Sequence, residues 1–287
     1  MYYLTNTLMI NVKSFSFGYK KRKPLYKNLN LSLPVGSIYG LLVKNGAGKS
    51  TLLKNFTGLL FPTRGELLVN GFVPRKRSPS FLQTIYFIPE EVYVPSLTTE
   101  GYKKLFAPFY PLFNEEQFYS YLEMLDVRDK GKLNTFSFGQ QKKFIIAFAL
   151  ACNTGILLLD EPTNGLDIPS KIKFRKLISS VFTEDKMIFI STHQIRDLDH
   201  LIDNVIIVDD GELLLQASLE TIANKLCFKI TDDLPGENEV LYAEPSLKGY
   251  AIVTENKTAE ESHVNLEYLF NAVTGNPVKA KSIFNTK

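Results

Sequence analysis

Cysteine is nearly absent from this chain: Cys152 and Cys227 stand alone, and no metal-ligand spacing includes either. That excludes a disulfide framework and a cysteine-based metal cluster. Free core thiols in a reducing, cytoplasmic setting are the expectation. Long apolar runs are missing too. No stretch approaches the ~20 residues needed to cross a bilayer, and no secretory apolar segment follows Met1. Membrane association is therefore expected only through a partner. A charge excess of one sign is also lacking: 33 Lys and Arg face 30 Asp and Glu, a net +3. That is too little to argue for nucleic acid as a partner. The local clusters Lys20–Lys23 and Arg75–Arg77 read as solvated loops, with contact to acidic headgroups or an acidic partner as the alternative. Internal repeats and low-complexity runs do not occur. What is present is 287 residues of ordinary globular composition, enough for one full-sized domain and a smaller appendage. Met1 to Leu8 carry no motif, whereas Met9 opens a strand pattern, so translation is expected to begin at Met9.

The most informative stretch runs from Ile156 to Asp167. The apolar run Ile156-Leu157-Leu158-Leu159 suits a strand covered on both faces, as in a parallel sheet. It ends in two adjacent carboxylates, Asp160 and Glu161, which alternate in direction along the strand. One can serve a metal ion while the other faces a reacting water. Two acids buried there would be costly without a cation or hydrogen-bond donors. The bland alternative is a strand running into a solvated acidic turn.

Upstream, Val43-Lys44-Asn45-Gly46-Ala47-Gly48-Lys49-Ser50-Thr51 follows the apolar stretch Ile38 to Leu42 and precedes a helical pattern, Thr51 to Leu59. Strand, glycine-rich loop, helix is the context a phosphate-binding loop requires. Gly46 and Gly48 let backbone N–H groups close around phosphate oxygens. The helix N-terminus adds unpaired donors. Lys49 places a positive charge on the outer phosphates, and the Ser50 hydroxyl can complete the shell of a magnesium ion.

Together these segments resemble the ATP-binding cassette family, the ATPase subunits of ABC transporters, over about residues 9–215. Phe136-Ser137-Phe138-Gly139-Gln140 is similar to the family's signature, usually written LSGGQ, and matches it at Ser137, Gly139 and Gln140. Asn164-Gly165-Leu166-Asp167 resembles the D-loop. His193, after the apolar strand Met187 to Ile190, matches the switch histidine. Tyr19 sits where the family stacks an aromatic ring on adenine, although it could instead cap a small sheet. The resemblance implies an α/β P-loop NTPase (RecA-like) core with an antiparallel β subdomain and an inserted helical subdomain. ATP and Mg2+ are the implied ligands. Asp160 would hold magnesium, Glu161 would be the general base, and His193 would contact the γ-phosphate. ATP binding would involve Tyr19, Asn45, Gly46, Ala47, Gly48, Lys49, Ser50 and Thr51. Ser137, Gly139 and Gln140 would complete the nucleotide site of a second, head-to-tail cassette. A chain with one phosphate loop and one signature therefore implies a dimer.

Three positions depart from the family pattern. Val43 stands where the phosphate loop begins with glycine; a positive φ there would strain valine, whereas a β-like backbone would make it harmless. Glu90 occupies the place of the Q-loop glutamine and could still ligate magnesium with Ser50 and Asp160. Phe138 replaces a signature glycine and reads as a subfamily trait.

The expected organisation is an ABC ATPase domain over 9–216, with its helical subdomain at about 92–145, and a small α+β accessory domain over 217–287. The helical segment is rich in aromatics, which either fill a small core or line a groove for a cytoplasmic helix of a membrane subunit. The signature helix is expected from Gln140 to Ala151, with Lys142 and Lys143 on its polar side. A C-terminal helix, Asn265 to Val273, is expected to carry Leu266, Leu269, Phe270 and Val273 on one face. The leading functional expectation is an ATPase subunit on the cytoplasmic face of the membrane, driving a separate integral membrane permease, with export of the ABC-2 type. The alternative is a hydrolysis-impaired regulatory module paired with a catalytic cassette. A soluble cassette acting in translation or DNA repair would show two cassettes or long coiled-coil insertions, and neither is here.

Overall fold

Buried side chains alternate along Met9–Phe17 as Ile10 and Val12, then change phase to Phe15 and Phe17. A bulge makes the change: Ser14 has φ +48° and the pairing register shifts between Val12 and Phe15. One extra residue restores the apolar face to the core side. The computed structural model describes residues 9–20, 23–44, 46–127, 131–198, 200–236 and 239–285. The expected start context at Met1 to Leu8, two residues of the basic cluster (Lys21 and Arg22) and Asn45 of the phosphate loop lie outside the described residues.

In chain order, β1 (Met9–Phe17), β2 (Tyr26–Pro34) and β3 (Ser37–Val43) lead into α1 (Lys49–Phe56). Then come β4 (Arg64–Val69), the single turn α2 (Pro79–Leu82) and β5 (Ile85–Ile88). The helical segment contains α3 (Thr99–Phe106), α4 (Glu115–Met124) and α5 (Phe138–Ala151). The core resumes with β6 (Ile156–Asp160), α6 (Ile168–Val181), β7 (Met187–Ser191), β8 (Asn204–Asp209) and β9 (Glu212–Ser218). The C-terminal part holds α7 (Leu219–Lys225), β10 (Leu226–Thr231), β11 (Val240–Ser246), β12 (Gly249–Glu255), α8 (Leu266–Gly275) and α9 (Pro277–Asn285).

The strands form a central sheet in the order β5-β6-β7-β3-β8-β9, parallel except for β9. An antiparallel sheet β2-β1-β4 and a smaller one, β10-β12-β11, flank it. This is the expected α/β P-loop NTPase architecture with its antiparallel β subdomain. The central strands β6 and β7 are buried at every position, as strands covered on both faces must be. Because β3 inserts between β7 and β8 and runs parallel to β6 and β7, the carboxyl ends of β3, β6 and β7 meet at one edge, where open α/β sheets bind ligands.

Between β5 and β6 several of the aromatic residues fill a small core, while others line a groove. Phe118 is fully buried, and Tyr102, Phe113, Phe118 and Tyr86 pack rings around Phe148 of α5. Phe109 stays 63% exposed at the rim of a groove. Both cysteines are free and buried, as expected. Among the described residues no helix is long and apolar enough to cross a membrane.

Candidate active site

The phosphate loop is set by its backbone. Gly46 and Gly48 take φ of +78° and +104°. At Gly48 a side chain is excluded twice, by that backbone and by the Tyr26 ring, whose Cε2 would lie 3.2 Å from a Cβ. Tyr26, fully buried, donates from Oη to the Gly48 carbonyl at 2.9 Å, and so buttresses the loop from the antiparallel sheet. Nothing in the sequence singled it out. Helix α1 opens at Lys49, two residues earlier than the pattern suggested, with Gly48 as its N-cap. The N-terminal donors of α1 therefore lie within the loop. Tyr19 is 42% exposed, meets Phe17 edge to face, and lies 3.1 Å from the Thr51 hydroxyl through its own. It is thus beside the loop, with a ring available to a planar ligand.

Val43 resolves to the harmless alternative. It ends β3, pairs in register with Val208, is not among the positive-φ residues and is 4% exposed. The turn that glycine would serve begins after it.

The acid pair sits at the tip of β6, level with Ser191 of β7. Asp160 is 2% exposed and accepts a 2.5 Å hydrogen bond from Ser191 Oγ. Burial raises its pKa, partly opposed by hydrogen bonds from Ser191 and Ser50 and reinforced by the charges of Glu161 and Glu90. Glu161 is 3% exposed and takes the disfavoured φ of +47°. Its N–H donates to the Ser191 carbonyl at 2.8 Å. Its Oε1 receives Lys49 Nζ at 2.9 Å, the His193 N–H at 2.9 Å and His193 Nδ1 at 2.8 Å, and its Oε2 receives Thr192 Oγ1 at 2.8 Å. Burial alone would raise the Glu161 pKa, but the donors Lys49, His193 and Thr192 outweigh it and hold the carboxyl below its usual value.

So Lys49, Ser50, Asp160, Glu161 and His193, widely separated in sequence, converge at one sheet edge. Glu90, just past β5, accepts from Asn164 Nδ2 at 3.1 Å through Oε1. That links the Q-loop position to the D-loop. Ser137 caps α5, accepting from Gln140 N at 3.3 Å. The helix begins at Phe138, two residues before the expected Gln140, so Gly139 lies in its first turn. Among the described residues Ser137, Gly139 and Gln140 make no hydrogen bond to the phosphate loop or the acid pair of their own chain.

Sequence reading missed Ser191 and Thr192 as site residues. Their signal was their place at the end of an apolar strand beside His193, but only the β6–β7 pairing brings them to the acids. It also misjudged Lys142. This side chain is not on a polar face; it is fully buried, and Nζ donates to the carbonyls of Glu90 and Glu161, each at 2.8 Å. Burial brings its pKa down to about 8 despite Glu90, Asp160 and Glu161 nearby.

The family described as ABC transporter matches residues 26–164. YcbN of Bacillus subtilis (strain 168), an ABC transporter ATP-binding protein, is 30% identical over 81% of this chain and 78% of its own length. The lantibiotic transport ATP-binding protein SrtF of Streptococcus pyogenes is 32% identical over 75% of this chain and 93% of its own. A solved ATP-binding subunit of an ABC transporter superposes with a TM-score of 0.67 at 26% identity, covering 75% of this chain and 91% of that one. With the loop, the acid pair and the histidine gathered at one edge of such a sheet, the chain belongs to the ATP-binding subunits of ABC transporters, ATPases whose hydrolysis of ATP is coupled to transport.

Proposed function

We propose that the chain pairs with a second cassette subunit, the same or a related one, around ATP, and drives export through a separate membrane permease. The observation that carries this reading is the Glu161 carboxylate, held between Lys49 and His193 at the carboxyl ends of the sheet strands. Triphosphate oxygens compete for the Lys49 ammonium. Glu161, released from it but still oriented by Thr192 and the His193 N–H, then accepts the proton of an attacking water. His193 Nδ1 stays within reach of the base.

The hard oxygen donors Ser50 and Asp160 fit Mg2+, because two buried carboxylates side by side need a countercharge and these ligands suit that ion. When bound, the ion would neutralise charge on the phosphate oxygens. Among the described residues Ser137 makes its hydrogen bond to Gln140 of its own helix and none to the phosphate loop of its own chain, which fits Ser137 and Gly139 serving the partner's nucleotide. We take 9–216 as the ATPase domain and 217–287 as an accessory domain.

A groove of about 660 Å3 between β5 and the helical segment, lined by Tyr86, Phe87, Tyr102, Phe106, Phe109 and Tyr110, suits an amphipathic cytoplasmic helix of the permease. It lies beside the segment carrying Glu90, so partner geometry and nucleotide state meet there. Membrane attachment then comes through the permease. Export is supported by the Pro89-Glu90-Glu91 form of that segment and by the similarity to a lantibiotic transport protein. Of the two residues that motivate the hydrolysis-impaired alternative, Val43 and Glu90, the first no longer does so, since Val43 is unstrained.

The test is ATP turnover by the purified chain with Mg2+. Glu161→Gln should lower kcat by about 100-fold or more while ATP-dependent dimers accumulate on size exclusion. Equal turnover in both proteins would refute the role of Glu161.

A further inference from the structure

Lys142 is the one lysine of α5 that meets no water, and its neighbours explain why. Its ammonium joins two peptide carbonyls from different segments, Glu90 after β5 and Glu161 after β6. Both of those residues also carry acids of the site. The Phe138 ring, one turn back on α5, lies 5.9 Å from Nζ. We infer that Lys142 is a positioning residue for hydrolysis: from the signature helix it pins the Glu161 peptide and the Glu90 segment to one another, so that the base keeps its aim at the nucleotide.

The inference rests on the proposed site and deepens it. Glu161 has a left-handed backbone, which is disfavoured for a long unbranched side chain and is kept where the surroundings hold it. On its N–H side the support is Ser191, and on its carbonyl side it is Lys142, aided by the Asn164 N–H at 3.2 Å. A fully buried ammonium is a poor choice for packing alone, because an apolar side chain of the same length would fill the space without desolvating a charge. Lysine is explained by what it holds. The same helix carries Ser137 and Gly139 at its N-terminus, so any shift of α5 on engaging the second cassette reaches Glu161 through a side chain five residues on.

The experiment uses the full chain with Mg2+ and ATP. Lys142→Met keeps most of the unbranched apolar stem and removes the donors. It should lower kcat by about tenfold, leave the ATP dissociation constant within about threefold, and leave the unfolding temperature unchanged or raised. Lys142→Arg, which restores donors, should recover most of kcat. Should Lys142→Met fail to fold, Lys142→Gln, too short to bridge both carbonyls, is read the same way. Wild-type kcat in Lys142→Met or Lys142→Gln overturns the inference. So does a joint fall of kcat, affinity and unfolding temperature that arginine does not rescue. Glu161-dependent turnover at the wild-type rate in Lys142→Met overturns the inference alone; no Glu161-dependent turnover in the wild type overturns the reading of the site as well.

Discussion

At Val43 the side chain contributes packing, not loop geometry. It is buried at the end of β3 against Val208 of β8. Val43→Gly should therefore leave ATP affinity unchanged and cost about 2–4 kcal/mol of stability, from lost apolar burial plus the freedom glycine gains in the unfolded chain. Isothermal titration and urea unfolding on the same preparation check both halves; a tighter ATP complex would restore the strain argument. Residue identity alone told much about Lys49, Ser50, Asp160 and Glu161, because their chemistry is local to a loop or a strand end. It told nothing about Lys142 or Tyr26. A lysine on a helix and a tyrosine in a strand are ordinary, and only long-range packing buries them against the site.

Between elements, the unusual signature residue has a structural counterpart. Phe138 begins α5, and its ring lies where a Cβ on Gly165 would be, 2.5 Å from Cε1. Gly165 also has φ +79°. The aromatic at 138 and the glycine at 165 are thus a matched pair joining the signature helix to the D-loop. Gly165→Ala should destabilise by about 1–3 kcal/mol. Adding Phe138→Gly should return the steric part but not the backbone part. A double-mutant cycle in thermal or chemical unfolding measures it, and strict additivity would deny the contact. The sequence marked both residues as parts of motifs but could not pair them, since α5 and the segment after β6 meet only in the folded sheet. Helix limits were read two residues late at both α1 and α5. The true first turn of α1 opens on the polar pair Lys49 and Ser50, and that of α5 on Phe138 and Gly139, none of which apolar periodicity marks as a helix start.

Across the molecule, the C-terminal part is joined to the cassette by apolar contact. Leu266, Leu269, Ala272 and Val273 of α8 are buried and belong to one core that also includes Ile207, Leu215 and the strands around the acid pair. Helix α8 touches the segment just after His193, where Arg196 donates to Glu267 at 3.1–3.2 Å. That ion pair is exposed (side chains 85% and 47%), so Arg196→Ala should change stability by less than about 1 kcal/mol. Leu269→Ala, in contrast, should cost about 2–5 kcal/mol and shift a single cooperative transition. Biphasic unfolding in calorimetry, with only a minor phase moved, would show the two parts to be independent. The sequence by itself determined the chemistry: a glycine-rich loop with Lys49, a strand ending in Asp160 and Glu161, and a histidine after a third apolar run. Those are statements about backbone and charge within a few residues, so they survive without coordinates. Tertiary structure alone decided which side chains surround that chemistry. Strand order put Ser191 and Thr192 on the acids, and packing turned Lys142 inward. Burial is a property of what covers a residue, and the covering segments lie far away along the chain.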